Sequence, residues 1–244
     1  MIPDGMSVQQ PTMHSVLMIG QSNMAGRGDM GQVKPIRNLL CYMLRMGRWQ
    51  PMCEPVNPDR GIFEGRFRSG ISLAASFADS LSKACREPVG LIPCADGGTY
   101  MKEWMPGELL YDHAVALTKL AQRTSKLTAI IWHQGESDCL RQEDVALYPQ
   151  RLKEMIGSLR RELGAEDVPV LLGEIPWEIG PAWKTQGREV QFNTRLREVA
   201  AEIPLCAVVS SRGLSLKPDG VHFDSQACRE FGVRYFEAYQ TLVK

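Results

Sequence analysis

No Cys-x-x-Cys pair and no cluster of Cys with His occurs anywhere in this chain, so a zinc site is not expected. A phosphate loop of the Gly-x-x-x-x-Gly-Lys type and a His-Glu-x-x-His helix are also missing, which removes two common hydrolytic chemistries. Gly26-Arg27-Gly28 is followed by no helix signal and makes a poor dinucleotide fingerprint. No apolar run reaches the ~18 residues of a membrane span. Charge of one sign is lacking too. The 28 Lys and Arg balance the 28 Asp and Glu, so no strong field invites nucleic acid or an anionic membrane, and a small neutral or weakly charged substrate fits better. The seven cysteines (Cys41, Cys53, Cys85, Cys94, Cys139, Cys206, Cys228) are odd in number and scattered. That pattern argues against a complete disulfide framework and for a reducing, cytoplasmic compartment. Met1 to His14 reads as a polar arm without the cationic start and apolar core of a signal peptide.

There is no repeat, low-complexity tract or linker, and 244 residues with 44% hydrophobic content suit a single domain, 1–244. Short apolar runs alternate with segments of helical period. The strands expected are Val16–Ser22, Val89–Ala95, Leu127–His133, Val168–Ile175 and Cys206–Ser210. The helices expected are Ile71–Ala84, Glu108–Arg123, Glu143–Leu163, Arg188–Glu202 and Ser225–Leu242. Val145, Leu152, Met155, Ile156 and Leu159 form one apolar stripe, and Gly164 signals the end of that helix. Such alternation implies right-handed crossovers and a parallel sheet covered by helices on both faces. Asp29 to Ser69 breaks the rhythm with Pro35, Pro51, Pro55 and Pro58 and with Arg37, Arg45, Arg48, Arg60, Arg66 and Arg68. It is expected to be an irregular insertion that walls a substrate cleft.

The candidate chemistry lies just after strands. Ser15-Val16-Leu17-Met18-Ile19 runs into Gly20-Gln21-Ser22-Asn23, delivering a hydroxyl where open α/β sheets place their ligands. Ser22 needs a base, and four histidines are available. His14 falls in the polar arm, His113 on a helix surface, and His133 at the end of a buried strand. His222 alone sits in a loop with a carboxylate three residues before it. Asp219 at that offset reaches back to Nδ1 of His222, fixes its tautomer and stabilises the imidazolium. Donors for an oxyanion are the N–H of Ser22, Gly97 or Gly98 in the turn after the second strand, and the carboxamide of Gln134. The polar run Gln134-Gly135-Glu136-Ser137-Asp138 is costly to bury unpartnered, so it faces the cleft or forms a buried network. Gln21 and Asn23 flank the serine and are further expected substrate contacts. Trp104, Trp132, Trp177 and Trp183 all lie near strand ends, and Trp104 and Trp177 are the two chosen as surfaces for a sugar ring.

Four motifs stand in an order that resembles sialate O-acetylesterase-like proteins. They are Gly20-Gln21-Ser22-Asn23, Gly97-Gly98-Thr99 with Trp104, His133-Gln134-Gly135-Glu136-Ser137-Asp138, and Asp219-x-x-His222. That group includes the acetylxylan esterases of carbohydrate esterase family 6, within the SGNH hydrolase superfamily. The resemblance runs from about Ser15 to Tyr239. It implies a flavodoxin-like three-layer α/β/α sandwich with a five-stranded parallel sheet. It also implies a serine esterase, free of metal and cofactor, that removes acetyl groups from carbohydrates. By motif, Ser22 is the nucleophile, His222 the base and Asp219 its partner. Gln134 replaces the oxyanion asparagine of most SGNH enzymes. Glu136 is the alternative or supporting acid. A lipase-like or thioesterase-like hydrolase of another small acyl ester, and a catalytically silent carbohydrate-binding domain, are the competing readings.

Overall fold

The computed structural model describes residues 13–58 and 68–243. Residues 1–12 of the expected arm, and Arg60 and Arg66 of the expected insertion, lie outside the described residues. The strands are β1 (His14–Gly20), β2 (Cys41–Arg45), β3 (Arg48–Pro51), β4 (Val89–Pro93), β5 (Lys126–His133), β6 (Val170–Gly173) and β7 (Cys206–Val209). They form one sheet in the order β3-β2-β4-β1-β5-β6-β7, parallel throughout except for the β2–β3 pair. Helices α1 (Ser22–Ala25), α2 (Leu73–Cys85), α3 (Leu109–Ala121), α4 (Gln142–Leu163) and α5 (Arg188–Ala201) lie in the connections between strands, and α6 (Ser225–Leu242) follows β7.

The apolar run of β1 sits at the centre of the sheet, where both faces need covering. Its side chains alternate. Leu17 and Ile19 join a core shared with α3, α4 and α5, while Val16 and Met18 join a second core shared with α2 and α6. Two cores on opposite faces of one sheet make the three-layer α/β/α sandwich. Helix ends follow local rules. Gly164 closes α4 at φ 57°, and the Asp224 carboxylate opens α6 by accepting the Ala227 N–H at 2.8 Å.

The expectation of five strands is corrected to seven among the described residues. Both additional strands lie inside the segment read as irregular. Met46 (φ 49°) and Gly47 (φ 73°) form a tight turn between them, both in the left-handed region that hairpin turns require. Met-Gly is a weak hairpin signal beside Asn-Gly, and the flanking arginines and Pro51 mask the strand pattern. Pro51 is tolerated because β3 is an edge strand. The rest of the excursion is stitched down. Glu54 pairs with Arg229 of α6, and Asn57 exchanges two hydrogen bonds with the backbone of Ala95 beyond β4. His14 is also corrected: it opens β1 instead of lying in an arm, with Nε2 2.6 Å from Glu87 and Nδ1 2.9 Å from Thr128. That places it at the opposite end of β1 from Ser22.

From β1 the chain fills the sheet on the β4 side, then crosses back to lay β5 against the other side of β1. This reversal puts a crevice outside the carboxyl ends of β1 and β5. Gly20 closes that end. Its φ of 131° lies where L side chains rarely go, and an added Cβ would fall on the carbonyl oxygen of His133. Gly20→Ala is therefore expected to cost more than ~3 kcal/mol, through backbone strain plus steric overlap. Denaturant unfolding of the purified variant checks this, and a midpoint equal to wild type would show that the strands have room to separate.

Candidate active site

Three strand ends are tied together before any side chain is considered. Gln21 N–H donates to His133 O at 2.9 Å, extending the β1–β5 pairing by one residue. Asp96 N–H donates to Gly20 O at 2.9 Å, and Cys94 N–H to Met18 O at 3.0 Å, which draws in the loop after β4. The backbone then turns into the single helical turn α1, with Met24 and Ala25 N–H groups on Gln21 O and Gly26 N–H on Ser22 O. As the first residue of that turn, Ser22 has an N–H with no carbonyl four residues back to receive it. Gly97 stands alongside: a Cβ there would lie 3.5 Å from the Ser22 Cβ and would overlap the Arg27 guanidinium. Gly98, at φ 78°, has open space at its own Cβ position.

His222 Nε2 lies 2.9 Å from Ser22 Oγ, and His222 Nδ1 lies 2.9 Å from Asp219 Oδ2. The second carboxylate oxygen of Asp219 accepts the N–H groups of Val221 and His222, both at 3.0 Å. Burial pushes the Asp219 carboxyl up, but the His222 and Val221 N–H bonds and the facing imidazole outweigh it and hold the group below the usual carboxylate range. The carboxylate therefore stays ionised through mildly acidic conditions. The loop is tightly turned, with Lys217 N–H on His222 O at 2.7 Å and a bridge between Leu216 and Phe223. The Lys217 ammonium ties it to the segment after α1 through Arg27 O at 2.7 Å and Asp29 at 3.1 Å. A hydroxyl, an imidazole and a carboxylate in line can move a proton off the hydroxyl as it attacks a carbonyl carbon.

Behind this line lies a layer of buried polar side chains. Asn23 is 1% exposed and is no surface for substrate. Its amide nitrogen donates to Val221 O at 3.0 Å and to Glu136 Oε1 at 2.6 Å, while its oxygen accepts the Phe223 N–H at 3.1 Å. It thus grips the residues on either side of His222 from the residue next to Ser22. Glu136 is likewise buried. It meets Asn23 and, at 3.5 Å, His133 Nδ1, while the His222 Nδ1 position is held by Asp219. His133 is fully buried, and burial lowers its pKa against the opposing pull of Glu136. Gln21 is buried too, its side-chain oxygen facing Gln134 Nε2 at 3.1 Å and Gly135 N–H at 3.3 Å.

Gln134 has no exposure. Its amide nitrogen faces Thr99 O at 2.9 Å, Asp138 Oδ2 at 2.5 Å and Gln21 Oε1. Both N–H groups are thereby committed inward, bracing the Gly97–Thr99 loop from behind. Of the two outcomes open to the Gln134–Asp138 run, the buried network is the one observed. Asp138 also accepts the Met101 N–H, and burial pushes its carboxyl up to about 7 against the lowering effect of Gln134 and Met101. Among the described residues, no group of three or more His, Cys, Asp or Glu is gathered where a metal ion would sit, and no helix is long and apolar enough to cross a membrane.

The tryptophans are distributed otherwise than expected. Trp104 is 1% exposed, packs edge-on against Trp132 at 5.3 Å and donates to Thr99 Oγ1, so its faces are closed to a sugar. Trp177 donates to the buried Glu174 and carries the Arg212 guanidinium 3.6 Å above its ring. Trp183, passed over as a sugar surface, stands beside His222 with ring centroids 6.3 Å apart. Nothing in the spacing of Trp183 and His222 along the chain signals that contact.

The family described as "Carbohydrate esterase, sialic acid-specific acetylesterase" matches residues 12–241. A probable carbohydrate esterase of Arabidopsis thaliana is 28% identical over 258 residues, covering 97% of this chain and 94% of that protein. The X-ray structure of an Arabidopsis thaliana protein superposes with a TM-score of 0.80 at 27% identity, over 95% of this chain and 98% of that one. The crystal structure of NanS shares the fold, with a TM-score of 0.72 at 18% identity over 95% and 98% of the two chains.

Two outcomes follow from the buried layer. Gln134→Ala strands the Thr99 carbonyl, at about 1–3 kcal/mol, and leaves the Asp138 carboxyl one hydrogen bond short, with the Met101 N–H still in place. Its melting temperature should fall clearly, with activity falling in proportion to folded protein. An unchanged melting temperature with kcat alone reduced would move Gln134 to the reacting centre. The Asp138 carboxyl titrates near 7 when folded, against ~3.9 when unfolded, so between those values the folded state holds the extra proton. Stability from this site is therefore lost as pH rises from about 4 to 7. Asp138→Asn should flatten that slope in denaturant midpoints measured across the range.

Proposed function

Because the chain belongs to the sialic acid-specific acetylesterase family of carbohydrate esterases, we propose that it hydrolyses O-acetyl esters on carbohydrates through an acyl-enzyme on Ser22. The observation that carries this reading is the unbroken line from Ser22 Oγ through both nitrogens of His222 to Asp219, with 2.9 Å at each step. Ser22 Oγ attacks the acetyl carbonyl carbon and its proton passes to His222 Nε2. The carbon–oxygen bond to the sugar then breaks, and the same proton leaves on the sugar hydroxyl. Water repeats the sequence on the acetyl-serine, giving acetate and the free enzyme. Asp219 keeps the Nδ1 proton in place and stabilises the imidazolium that forms twice per cycle. The N–H groups of Ser22 and of Gly97 or Gly98 receive the developing oxyanion. Gln134 supports them by holding Thr99, and Glu136 by holding Asn23. The reaction as written needs no cofactor.

An acetate-release screen over acetylated xylan, acetylated xylooligosaccharides and O-acetyl sialic acids tests the substrate class. Activity confined to long-chain acyl esters or thioesters would sink the carbohydrate reading. Ser22→Ala should lower kcat by ~10³ or more with an unchanged melting temperature, and Asp219→Asn by up to ~10⁴ through the wrong imidazole tautomer. Glu136→Gln should cost less in kcat and more in stability. A larger kcat loss for Glu136→Gln than for Asp219→Asn at equal folding would transfer the acid role.

A further inference from the structure

Trp183 lies in a short 3-10 turn, Pro181–Trp183, between β6 and α5, where its neighbours Pro181, Ala182 and Lys184 are all exposed. The residue itself is 36% exposed, unlike the buried Trp104 and Trp132. A lone exposed apolar side chain is ordinary on a protein surface. What sets Trp183 apart is how it is held and what it faces. The indole N–H donates to the backbone carbonyl of Asp219 at 2.9 Å, and the ring stands at 88° to the His222 imidazole.

The turn that carries it is braced on two sides. Gly180 N–H donates to Gly220 O at 2.8 Å, fastening it to the tip of the Asp219–His222 loop. Arg188 holds Lys184 O at 3.0 Å with the same guanidinium that grips Cys139 O and Leu140 O. Lys184 (φ 53°) and Gln186 (φ 57°) both take the left-handed region, a strain that persists only where surrounding contacts impose it. The indole is thus a fixed wall beside the imidazole, with its orientation set before any ligand arrives. Trp104 and Trp132 are enclosed, and Trp49 is bonded to Thr124 beside the amino end of β5. The ring of Trp177 is capped by Arg212.

Resting on the reading of the site as a carbohydrate esterase, we propose that Trp183 is the stacking platform for the sugar ring whose acetyl group is presented to Ser22. Pyranose rings carry a face of C–H groups, and an indole offers the negative π-face that such a surface packs on. A rigid platform at His222 orients the leaving alcohol where the imidazole returns its proton. A small ester without a sugar makes no use of it.

The test compares kcat/KM on an O-acetylated sugar with kcat/KM on p-nitrophenyl acetate, for wild type, Trp183→Ala and Trp183→Phe. Trp183→Ala should lower the ratio of sugar to small ester about tenfold, chiefly through KM for the sugar. Trp183→Phe keeps a π-face and should recover most of that ratio. Melting temperatures accompany all the proteins, and Trp183→Leu, which keeps apolar bulk without a π-face and should lower the ratio as alanine does, carries the test if the alanine variant does not fold. Equal losses on both esters would overturn the proposal and make Trp183 a support for the Asp219–His222 pair. So would an unchanged ratio in Trp183→Ala or Trp183→Leu. Wild type that cleaves p-nitrophenyl acetate but no acetylated sugar would instead overturn the substrate class, and the platform with it.

Discussion

Everything at the site depends on how closely the carboxyl ends of β1 and β5 are pressed together. Gly20 lies against the backbone of His133 so tightly that no side chain fits between them, and Gln21 adds one more ladder bond past the last strand residue. That contact sets where the chain leaves the sheet, and so where α1 begins and where the Ser22 hydroxyl emerges. It also decides which polar residues after the two strands meet. Gln21 faces Gln134 because their strands are in register up to the Gly20–His133 pair. A one-residue slip would turn every side chain to the other face.

The second consequence is a site supported from within. A mobile nucleophile–base pair rarely holds productive geometry, and catalysis rewards groups held in place before substrate binds. Here the support is a buried polar layer whose members bond across sequence segments. Asn23 reaches from the Ser22 turn to the backbone on both sides of His222. Gln134 reaches from β5 to the loop carrying Gly97. Such groups stabilise only while their partners are present, because a lone buried polar atom is worse than an apolar one. The layer therefore links foldedness to geometry. The Asp138 carboxyl, held near 7 by burial, shows the cost of enclosing an ionisable group in it.

On the solvent side the construction is different. The Asp219–His222 loop is a tight turn pinned by Lys217 to the segment after α1 and by Gly180 and Trp183 to the segment after β6. The loop's own Asp219 and Gly220 carbonyls accept the Trp183 indole N–H and the Gly180 N–H, while its Lys217 ammonium reaches the Arg27 carbonyl and Asp29. The exposed indole of Trp183 is where this outer frame offers chemistry of its own.

Local pattern carried the main strands and all five long helices, since apolar periodicity and a cap such as Gly164 act within a few residues. It also carried the pairing of Asp219 with His222, three positions apart, and the family resemblance pointed to Ser22. The β2–β3 hairpin was illegible because its turn, Met46-Gly47, takes a conformation its residues do not advertise. Tertiary structure alone decided which way each polar side chain points. Gln134, Glu136, Gln21 and Asn23 all lie in motifs that announce a site, yet the fold turns them inward, where each partner comes from a distant segment. Trp104, expected at the cleft, is enclosed, while Trp183 is left exposed, for the same reason. A tryptophan near a strand end is equally suited to core or cleft, and only the packing of neighbouring elements determines whether its faces are covered.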